Sequence, residues 1–302
     1  MALSYDKLIN WSFEDVVQQY TWKDSILYAL GLGFGFNPTD ANELRFIYED
    51  GLITFPTMPV VLGHPGPWMS DPETGIDMVK VLHGEQHLSI HNPLPAEATI
   101  VGRNRVMEVV DKGADKGALI SIERQLVDES TGDLYSTQTA VIFARANGGF
   151  GGPVTGNPKP HQLPNRPPDS TIDIPTSNQM ALLYRLSGDY NPLHADPAIA
   201  AKAGFPSPIL HGLASFGVAA RAVLAGLDVK EASQLKSFGL RFTAPVYPGE
   251  TISTDLWLDG NDVSFRSRVT ARDTIVLNNG RAVIDSDGPA DFQPGLARSD
   301  RD

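Results

Sequence analysis

The sequence predicts an α+β protein made of two tandem halves, each with a helix followed by an antiparallel sheet. Three observations support this fold class. A helical pattern followed by several alternating segments occurs twice along the 302 residues. A tract rich in Gly and Pro at 146–170 separates the two runs. A spaced pattern of Leu, Pro, Thr and Ile at 88–100 recurs at a constant offset at 240–252, which indicates an internal duplication.

In the first half, residues 1–20 are expected to form a short strand and a turn. Thr21 and Asp24 have the spacing of a capping box, which predicts the start of a helix, and Gly31 is expected to end it. Segments of alternating character, separated by turn residues, then predict antiparallel strands. The predicted strands are 79–90, 98–110, 117–128 and 134–144.

In the second half, Asp196 followed by Pro197 predicts the start of a short helix that ends at Gly204. Apolar and small residues at helical spacing predict a longer helix over 212–225. Four strands are predicted to follow it, at 237–242, 251–259, 262–271 and 274–284.

These patterns predict two domains. The first covers residues 1–150 and the second covers 171–290. A Gly- and Pro-rich linker at 151–170 is expected to join them, and a polar tail is expected at 291–302.

Composition excludes several classes of function. The net charge of −12 argues against a nucleic-acid partner, which needs a basic surface. The absence of cysteine excludes disulfides and thiolate nucleophiles. No apolar run is long enough for a membrane span, and no signal-peptide pattern or Ser-Lys-Leu address is visible at the ends. We therefore expect a cytoplasmic protein, with the peroxisome as the alternative.

The stretch Y-R-L-S-G-D-Y-N-P-L-H at 184–194 concentrates the chemistry of the chain. It brings an acid, an amide and an imidazole into one short turn, through Asp189, Asn191 and His194. The predicted helix that starts at Gly212 presents unpaired N–H groups that can hold an oxyanion. Gly-Asp-x-Asn-Pro is also ordinary turn chemistry. Together these features indicate a site that adds water to, or removes it from, a carbonyl-activated double bond.

The run S-G-D-Y-N-P-L-H, followed downstream by P-I-L-H-G-L-A-S-F-G, resembles the MaoC-like, (R)-specific 2-enoyl-CoA hydratase family, also called hydratase 2. The segment H-G-E-Q in the first half resembles the same family. The resemblance covers most of the chain and implies a double hot-dog fold, in which an antiparallel sheet wraps around a central helix twice. It also implies reversible addition of water to trans-2-enoyl-CoA, giving (3R)-3-hydroxyacyl-CoA in fatty-acid metabolism.

The resemblance implies roles for individual residues. Asp189 and His194 are expected to hold the reacting water, and which of them is the formal base stays open. Substrate positioning and the oxyanion site are expected to come from Asn191 and Gly212. Supporting residues are expected to be Ser187, His211, Glu49 and Arg185, with an ion pair between the last two; direct catalysis by Glu49 is the alternative.

The first half lacks the sequence Asp-x-Asn-Pro-x-His, so we expect one active site per chain and an acyl-chain pocket in the first half. By resemblance, the Pro- and Gly-rich segment 54–76 lines an acyl tunnel; the alternative is an ordinary irregular loop. A homodimer is also expected by resemblance. Acyl chain length and the physiological direction stay open.

Coenzyme A is part of the expected substrate, and no other cofactor is expected. Because the net charge is negative, its phosphates need a local basic patch. The candidates are Lys236, Arg241 and Lys159. No metal is expected, because His83, His87 and His91 would share one face of a strand over too long a run to bind one ion.

Two other functions stay open. A hot-dog acyl-CoA thioesterase would also use a carboxylate and a helix N-terminus, so the fold does not exclude it. A non-catalytic module that binds acyl thioesters is the second alternative. The complete Asp-x-Asn-Pro-x-His sequence at 189–194 favours hydration over both.

Overall fold

The structure is a computed structural model that describes residues 3–156, 159–227 and 232–285. Ten strands form one antiparallel sheet. Five belong to the first half: β1 (Val16–Tyr20), β2 (Val81–Ile90), β3 (Ala98–Asp111), β4 (Ala118–Asp128) and β5 (Leu134–Ala144). Five belong to the second half: β6 (Ser170–Pro175), β7 (Leu235–Phe242), β8 (Thr251–Asp259), β9 (Asp262–Val269) and β10 (Thr274–Ile284).

The strand order has mirror symmetry. It runs β1-β3-β4-β5-β2 through the first half and β7-β10-β9-β8-β6 through the second. At the centre β2 pairs with β7, and His87 lies directly opposite Gly239. The separation in sequence that relates Leu88 to Leu240 also relates His87 to Gly239. The two copies therefore meet at equivalent residues, which supports the predicted internal duplication, while the exact domain boundaries stay a prediction.

Six α-helices accompany the sheet in the described residues. They are α1 (Tyr5–Ile9), α2 (Trp22–Gly31), α3 (Ala41–Leu44), α4 (Met180–Tyr184), α5 (Pro197–Lys202) and α6 (Gly212–Gly226). The strands of the second half all pack around α6. A small residue allows this close packing, since a Cβ added at Gly226 would lie 2.5 Å from the Leu256 side chain of β8. None of the helices in the described part of the chain is long and apolar enough to cross a bilayer.

The two halves differ in what their strands surround. In the first half, α2 packs mainly against α4 and the turn that follows it. The segment 54–76 lies before β2 in the first half, in the place that α6 has before β7 in the second half. It contains three short 3₁₀ turns and no α-helix. Its apolar side chains enter the main core, namely those of Phe55, Met58, Val60 and Leu62. This segment is irregular, as one alternative expected; residues 54–63 are mostly buried, whereas most of residues 64–76 are exposed or partly exposed.

Side chains from the sheet hold the segment 54–76 in place. Gln138 Nε2 donates a hydrogen bond to the Pro59 carbonyl at 2.7 Å, and Arg124 Nη1 donates to the Leu62 carbonyl at 2.9 Å. Arg124 is buried, and this burial lowers its pKa to about 10. The Pro59 carbonyl also accepts a hydrogen bond from the Leu62 N–H at 3.1 Å, so Gln138 adds a second donor there. Arg124 supplies a donor to the Leu62 carbonyl, because buried backbone carbonyls need hydrogen-bond partners.

Most predicted elements are confirmed within a few residues. The strands predicted at 134–144, 251–259 and 274–284 have those bounds, and the strand predicted at 262–271 ends at Val269 in a 3₁₀ turn. The capping box is present, since the Asp24 carboxylate accepts a hydrogen bond from the Thr21 N–H at 2.7 Å. Helices α1, α3 and α4 and strand β6 were not predicted. The predicted tail at 291–302 lies outside the described residues.

Candidate active site

Two consecutive turns present the motif. Helix α4 continues into a 3₁₀ turn at Arg185–Ser187, which ends at Gly188 with a φ of 117°. Glycine suits this position because positive φ is strained for other residues. A second 3₁₀ turn, Pro192–His194, follows directly. The path brings Asp189 and His194 to His211, the residue that precedes α6.

Turn formation and site formation use the same side chains. The Asp189 carboxylate accepts a hydrogen bond from the Asn191 N–H at 3.1 Å. The Asn191 side-chain oxygen accepts from the Leu193 N–H at 3.0 Å. The ordinary turn interpretation of this sequence is therefore correct, and the Asn191 oxygen is committed to the backbone. The Asn191 amide NH₂ is the part of that side chain with donors for another partner.

His194 and His211 form a stacked pair with ring centroids 3.7 Å apart. Each ring is fixed by a backbone carbonyl: His194 Nδ1 lies 2.9 Å from the Ile209 oxygen, and His211 Nε2 lies 3.2 Å from the Asp189 oxygen. A carbonyl can only accept, so each of these nitrogens carries the proton when the ring is neutral. The neutral pair then offers His194 Nε2 and His211 Nδ1 as acceptors.

Burial favours the neutral form of both rings. Burial, with a smaller contribution from the His194 ring, lowers the pKa of His211 from 6.5 to about 4. Burial also lowers the pKa of His194, while the nearby Asp189 charge acts in the opposite direction. Both imidazoles are therefore uncharged near neutral pH, and His194 can accept a proton.

Asp189, His194 and His211 each offer one possible metal-ligand atom within 4.8 Å of the others. The stacking of the two rings disfavours a metal, because their interplanar angle is only 27°. Each nitrogen lone pair lies in the plane of its own ring, so one ion bound by both rings would have to lie where the two planes meet. Nearly parallel planes with ring centroids 3.7 Å apart do not meet close to the rings, which disfavours a tetrahedral site. A water hydrogen-bonded to one ring and to the carboxylate is compatible with this arrangement.

The start of α6 supplies the second part of the site. Gly212 is its first residue, and the first N–H groups of a helix lack intrahelical acceptors. The Ala214 N–H donates to the His211 carbonyl at 3.1 Å, which leaves the N–H groups of Gly212 and Leu213 for a ligand. A Cβ added at Gly212 would lie 3.3 Å from the Phe242 ring. Glycine therefore lets β7 approach the helix closely. This end of the helix carries a partial positive charge that can stabilise an oxyanion.

The prediction that His83 shares a face of β2 with His87 is wrong. A bulge at Gly84 interrupts the pairing of β2 with β5. It turns His83 toward Phe242, with ring centroids 4.9 Å apart, while His87 pairs with Glu85 on the other face at 3.1 Å. The isolated glycine was the signal, since glycine inside a strand often marks a bulge. His83 therefore belongs near the motif and does not share a face with His87.

The expected ion pair between Glu49 and Arg185 is wrong for the described residues. Glu49 is exposed, and Arg185 instead stacks on the Tyr190 ring at 5.2 Å. The ion pair beside α2 joins Glu43 to Arg221, and it connects α3 to α6. Sequence reasoning missed this pair because its members lie far apart in the chain. Ser187 keeps a buried hydroxyl with no protein partner.

The three CoA candidates do not gather at the motif. Arg241 forms an ion pair with Glu85 at 2.6 Å, and Lys236 forms one with Asp285 at 3.7 Å. Lys159 and Arg241 line a cavity of about 500 Å³ on the face of the sheet that carries His87. That cavity is on the side away from α6.

Two family models match the chain in sequence order. The "MFE-2 hydratase 2 N-terminal domain" matches residues 18–146, and the "MaoC like domain" matches residues 159–279. A relative from Dictyostelium discoideum, named probable enoyl-CoA hydratase 2, is 38% identical over 94% of this chain and 98% of its own length. One from Arabidopsis thaliana, named enoyl-CoA hydratase 2, peroxisomal, is 34% identical over 90% and 93%.

A solved structure agrees with these matches. The MaoC-like dehydratase from Phytophthora capsici superposes with a TM-score of 0.83 at 34% identity, covering 95% of this chain and 100% of that one. The fold and the site therefore define a double hot-dog protein of the MaoC-like class. Within that class, the chain belongs to the enoyl-CoA hydratase 2 family.

Proposed function

We propose that this protein is an (R)-specific 2-enoyl-CoA hydratase, which adds water reversibly to trans-2-enoyl-CoA and forms (3R)-3-hydroxyacyl-CoA. The observation that carries the proposal is the cluster of Asp189 and the two neutral histidines beside the start of α6. An acid-base pair and an oxyanion site are the two components that hydration of an enoyl thioester requires.

In the proposed mechanism, a water is held between the Asp189 carboxylate and His194 Nε2. The bond to the Ile209 carbonyl fixes the His194 tautomer, so that Nε2 can accept a proton. One of the two groups takes a proton from the water as its oxygen bonds to carbon 3. The double-bond electrons move toward the thioester, and the group that took the water proton returns it to carbon 2, which restores the site. Which of the two groups is the formal base stays open.

The remaining site residues have supporting roles in this proposal. The Gly212 N–H at the start of α6 stabilises the thioester oxygen while the enolate forms. The Asn191 amide NH₂ positions the water or the substrate. His211 holds the Asp189 backbone through the carbonyl, which fixes the position of the carboxylate. Arg185 stabilises the motif through its contact with the Tyr190 ring, and the supporting role of Ser187 rests on the resemblance alone.

Further features of the substrate follow from the resemblance. We propose that the acyl chain enters the first half beside the segment 54–76. Lys159 is the CoA candidate with the fewest competing interactions, since Arg241 and Lys236 are engaged in ion pairs. The protein is proposed to act as a homodimer in the cytoplasm. The peroxisome is the alternative, supported by the name of the Arabidopsis relative.

No cofactor is needed for the proposed reaction, because the substrate already carries coenzyme A. Hydration should therefore survive dialysis against a metal chelator without loss of rate. A rate that falls on chelation and returns with one added metal ion would contradict the metal-free site.

The test of the proposed function is the loss of enoyl absorbance with a series of trans-2-enoyl-CoA substrates, followed by chiral analysis of the product. We expect the (3R)-alcohol as product. The acyl chain length with the highest kcat/KM indicates the length of the acyl pocket. Release of free thiol without hydration would favour a thioesterase. Binding of acyl-CoA by folded protein without any reaction would favour a binding module.

A further inference from the structure

We propose that His64, in the segment 54–76 of the first half, donates a hydrogen bond from Nε2 to an amide carbonyl in the pantetheine arm of the substrate. This inference rests on the proposed function, because it names a residue that binds the coenzyme A part of the acyl thioester. His64 lies outside the Asp-x-Asn-Pro-x-His sequence and belongs to the other half of the chain.

The backbone directly before His64 is anchored to the sheet. The Gly63 N–H donates to the Gln18 side-chain oxygen at 2.8 Å, and the Asn104 amide donates to the Gly63 carbonyl at 3.2 Å. Gly63 has a φ of 63°, and a Cβ added to it would lie 2.8 Å from the Gly102 Cα. This conformation and this close approach require glycine. The anchored backbone therefore presents the His64 side chain from a fixed position.

The segment that carries His64 also contacts the turn that carries the motif. A Cβ added at Gly188, directly before Asp189, would lie 4.0 Å from the Val61 carbonyl oxygen. The Asp189 charge is close enough to act on the pKa of His64, in the direction that favours protonation. His64 and Asp189 therefore lie in the same region, and each half of the chain supplies one of them.

His64 lines an open crevice in this region. Its side chain is exposed to solvent, as that of Asp189 is. The surrounding protein nevertheless displaces enough water from the ring, with a further contribution from the Arg124 charge, to lower the pKa of His64 to about 4. A side chain that is both exposed and surrounded by protein lies on the wall of a crevice. The ring is uncharged there near pH 7.

The hydrogen bonding of the His64 ring leaves one donor for a ligand. The Gly66 N–H donates to His64 Nδ1 at 3.0 Å. Because Nδ1 is the acceptor, the proton of the neutral ring is on Nε2. Among the residues that the structure describes, none accepts a hydrogen bond from this Nε2–H. The crevice wall thus has an uncharged donor in a defined tautomer.

The place of His64 along the segment indicates which part of the substrate it contacts. The buried part before it is apolar and includes Met58, Val60 and Leu62. Residues 64–67 are exposed or partly exposed. A saturated acyl tail has no hydrogen-bond acceptor, so it suits the buried apolar part. The pantetheine arm has amide carbonyls and connects the thioester to the nucleotide in solvent, so it suits the exposed donor.

Substitutions at His64 test the donor. His64→Phe keeps a ring and removes the N–H group, whereas His64→Gln keeps an N–H group near the position of Nε2. We expect His64→Phe to raise KM for trans-2-enoyl-CoA about 3- to 10-fold with kcat unchanged, because one neutral hydrogen bond is lost equally from substrate and transition state. His64→Gln should recover most of this loss. The matched control is His91→Phe, an exposed histidine that pairs with Thr137, which should behave as wild type.

Shortened thioesters locate the contact. The effect of His64→Phe should persist with trans-2-enoyl-pantetheine, which lacks the nucleotide, and should disappear with a trans-2-enoyl ethyl thioester, which has no amide. An equal loss with the ethyl thioester would overturn the inference. Wild-type KM for enoyl-CoA in folded His64→Phe would overturn it as well. If His64→Phe does not fold, the same readings in His64→Leu have the same meaning.

A binding measurement separates this inference from the proposed function. The dissociation constant of a saturated acyl-CoA, which cannot react, should rise about 3- to 10-fold in His64→Phe. A wild type that binds saturated acyl-CoA without hydrating any enoyl-CoA contradicts the proposed function, and the rise in His64→Phe would still support the pantetheine contact. An unchanged dissociation constant in His64→Phe contradicts the contact and leaves the hydratase proposal standing.

Discussion

The two halves have the same strand pattern but differ where the active site lies. Asn191-Pro192 follows the start of β6 by the same number of residues as Asn37-Pro38 follows the start of β1. At the positions of Asp189 and His194, however, the first half has Gly35 and Asp40. The Asn-Pro turn has persisted in both copies, whereas the acid and the imidazole occur only in the second.

A second difference accompanies the first. The second half starts α6 beside its motif, whereas the first half has the irregular segment 54–76, with its short 3₁₀ turns, before β2. A proton-transfer pair has no function without an oxyanion site next to it. The first half therefore lacks both the long helix and the catalytic pair, as expected if neither is useful without the other. Its role is to line part of the single site in the second half.

The largest expected effect comes from removing the imidazole of the motif. His194→Ala should lower kcat by roughly 10²–10⁴ if the ring transfers a proton. Asp40→Asn, at the equivalent position of the first half, is the matched control and should leave kcat unchanged. Steady-state rates on one trans-2-enoyl-CoA test both. A comparable loss in the two variants would show that both halves contribute proton-transfer groups.

The next largest effect is expected from removing the guanidinium of Arg124, which donates hydrogen bonds to the segment 54–76. Arg124→Met leaves the carbonyls of Val60 and Leu62 without their donor, which should cost about 1–3 kcal/mol of unfolding free energy. Because this segment is proposed to flank the acyl chain, the preferred chain length should also change. Denaturant unfolding and the substrate series measure these effects.

Arg103→Met provides the control for Arg124, since that side chain is half-exposed and pairs with Asp15 at the surface. It should change neither stability nor chain-length preference. Equal effects of the two substitutions would contradict a specific role for the buried guanidinium.

A smaller effect is expected where α6 meets the first half. Gly217→Ala places a methyl group 2.5 Å from the Leu32 side chain, so Leu32 must move. Overpacking of this kind should cost about 1–3 kcal/mol, with little change in kcat of the folded enzyme. Thermal unfolding and a rate corrected for folded fraction check this. A normal melting temperature would mean that the contact between the halves is loose.

The last expected effect is a dependence of stability on pH. The pKa of both His83 and His211 is about 4 in the folded protein and 6.5 in an ordinary environment. The unfolded chain therefore binds protons first as the pH falls. The free energy of unfolding should decrease from about pH 6.5 to about pH 4, and His83→Phe should show a shallower decrease. Unfolding curves that do not change over this range would contradict the burial of these rings.

The sequence could predict the parts of the molecule that rest on local patterns. The motif, the capping box at Thr21 and the strand Leu134–Ala144 were all found this way. Helix α4 was missed because five residues give little periodicity. Asn191 shows a further limit, since its side chain forms the turn by the same chemistry that made it a site candidate.

Long-range features could not be predicted from single positions. The pairing of Glu43 with Arg221 connects residues from different halves, and nothing local distinguishes Glu43 from Glu49. The direction of His83 depended on one bulge, because a single extra residue reverses the face of every residue beyond it. The basic residues near CoA remained candidates because a charge does not reveal its partner.

A single hydratase site in the second half is tested most directly by comparing the wild type with Asp189→Ala on trans-2-enoyl-CoA, with chiral analysis of the product. We expect the wild type to form (3R)-3-hydroxyacyl-CoA and the folded variant to be slower by roughly 10²–10⁴. A wild type that forms the (3S)-alcohol or no alcohol, or a variant as fast as the wild type, would contradict a single hydratase site in the second half.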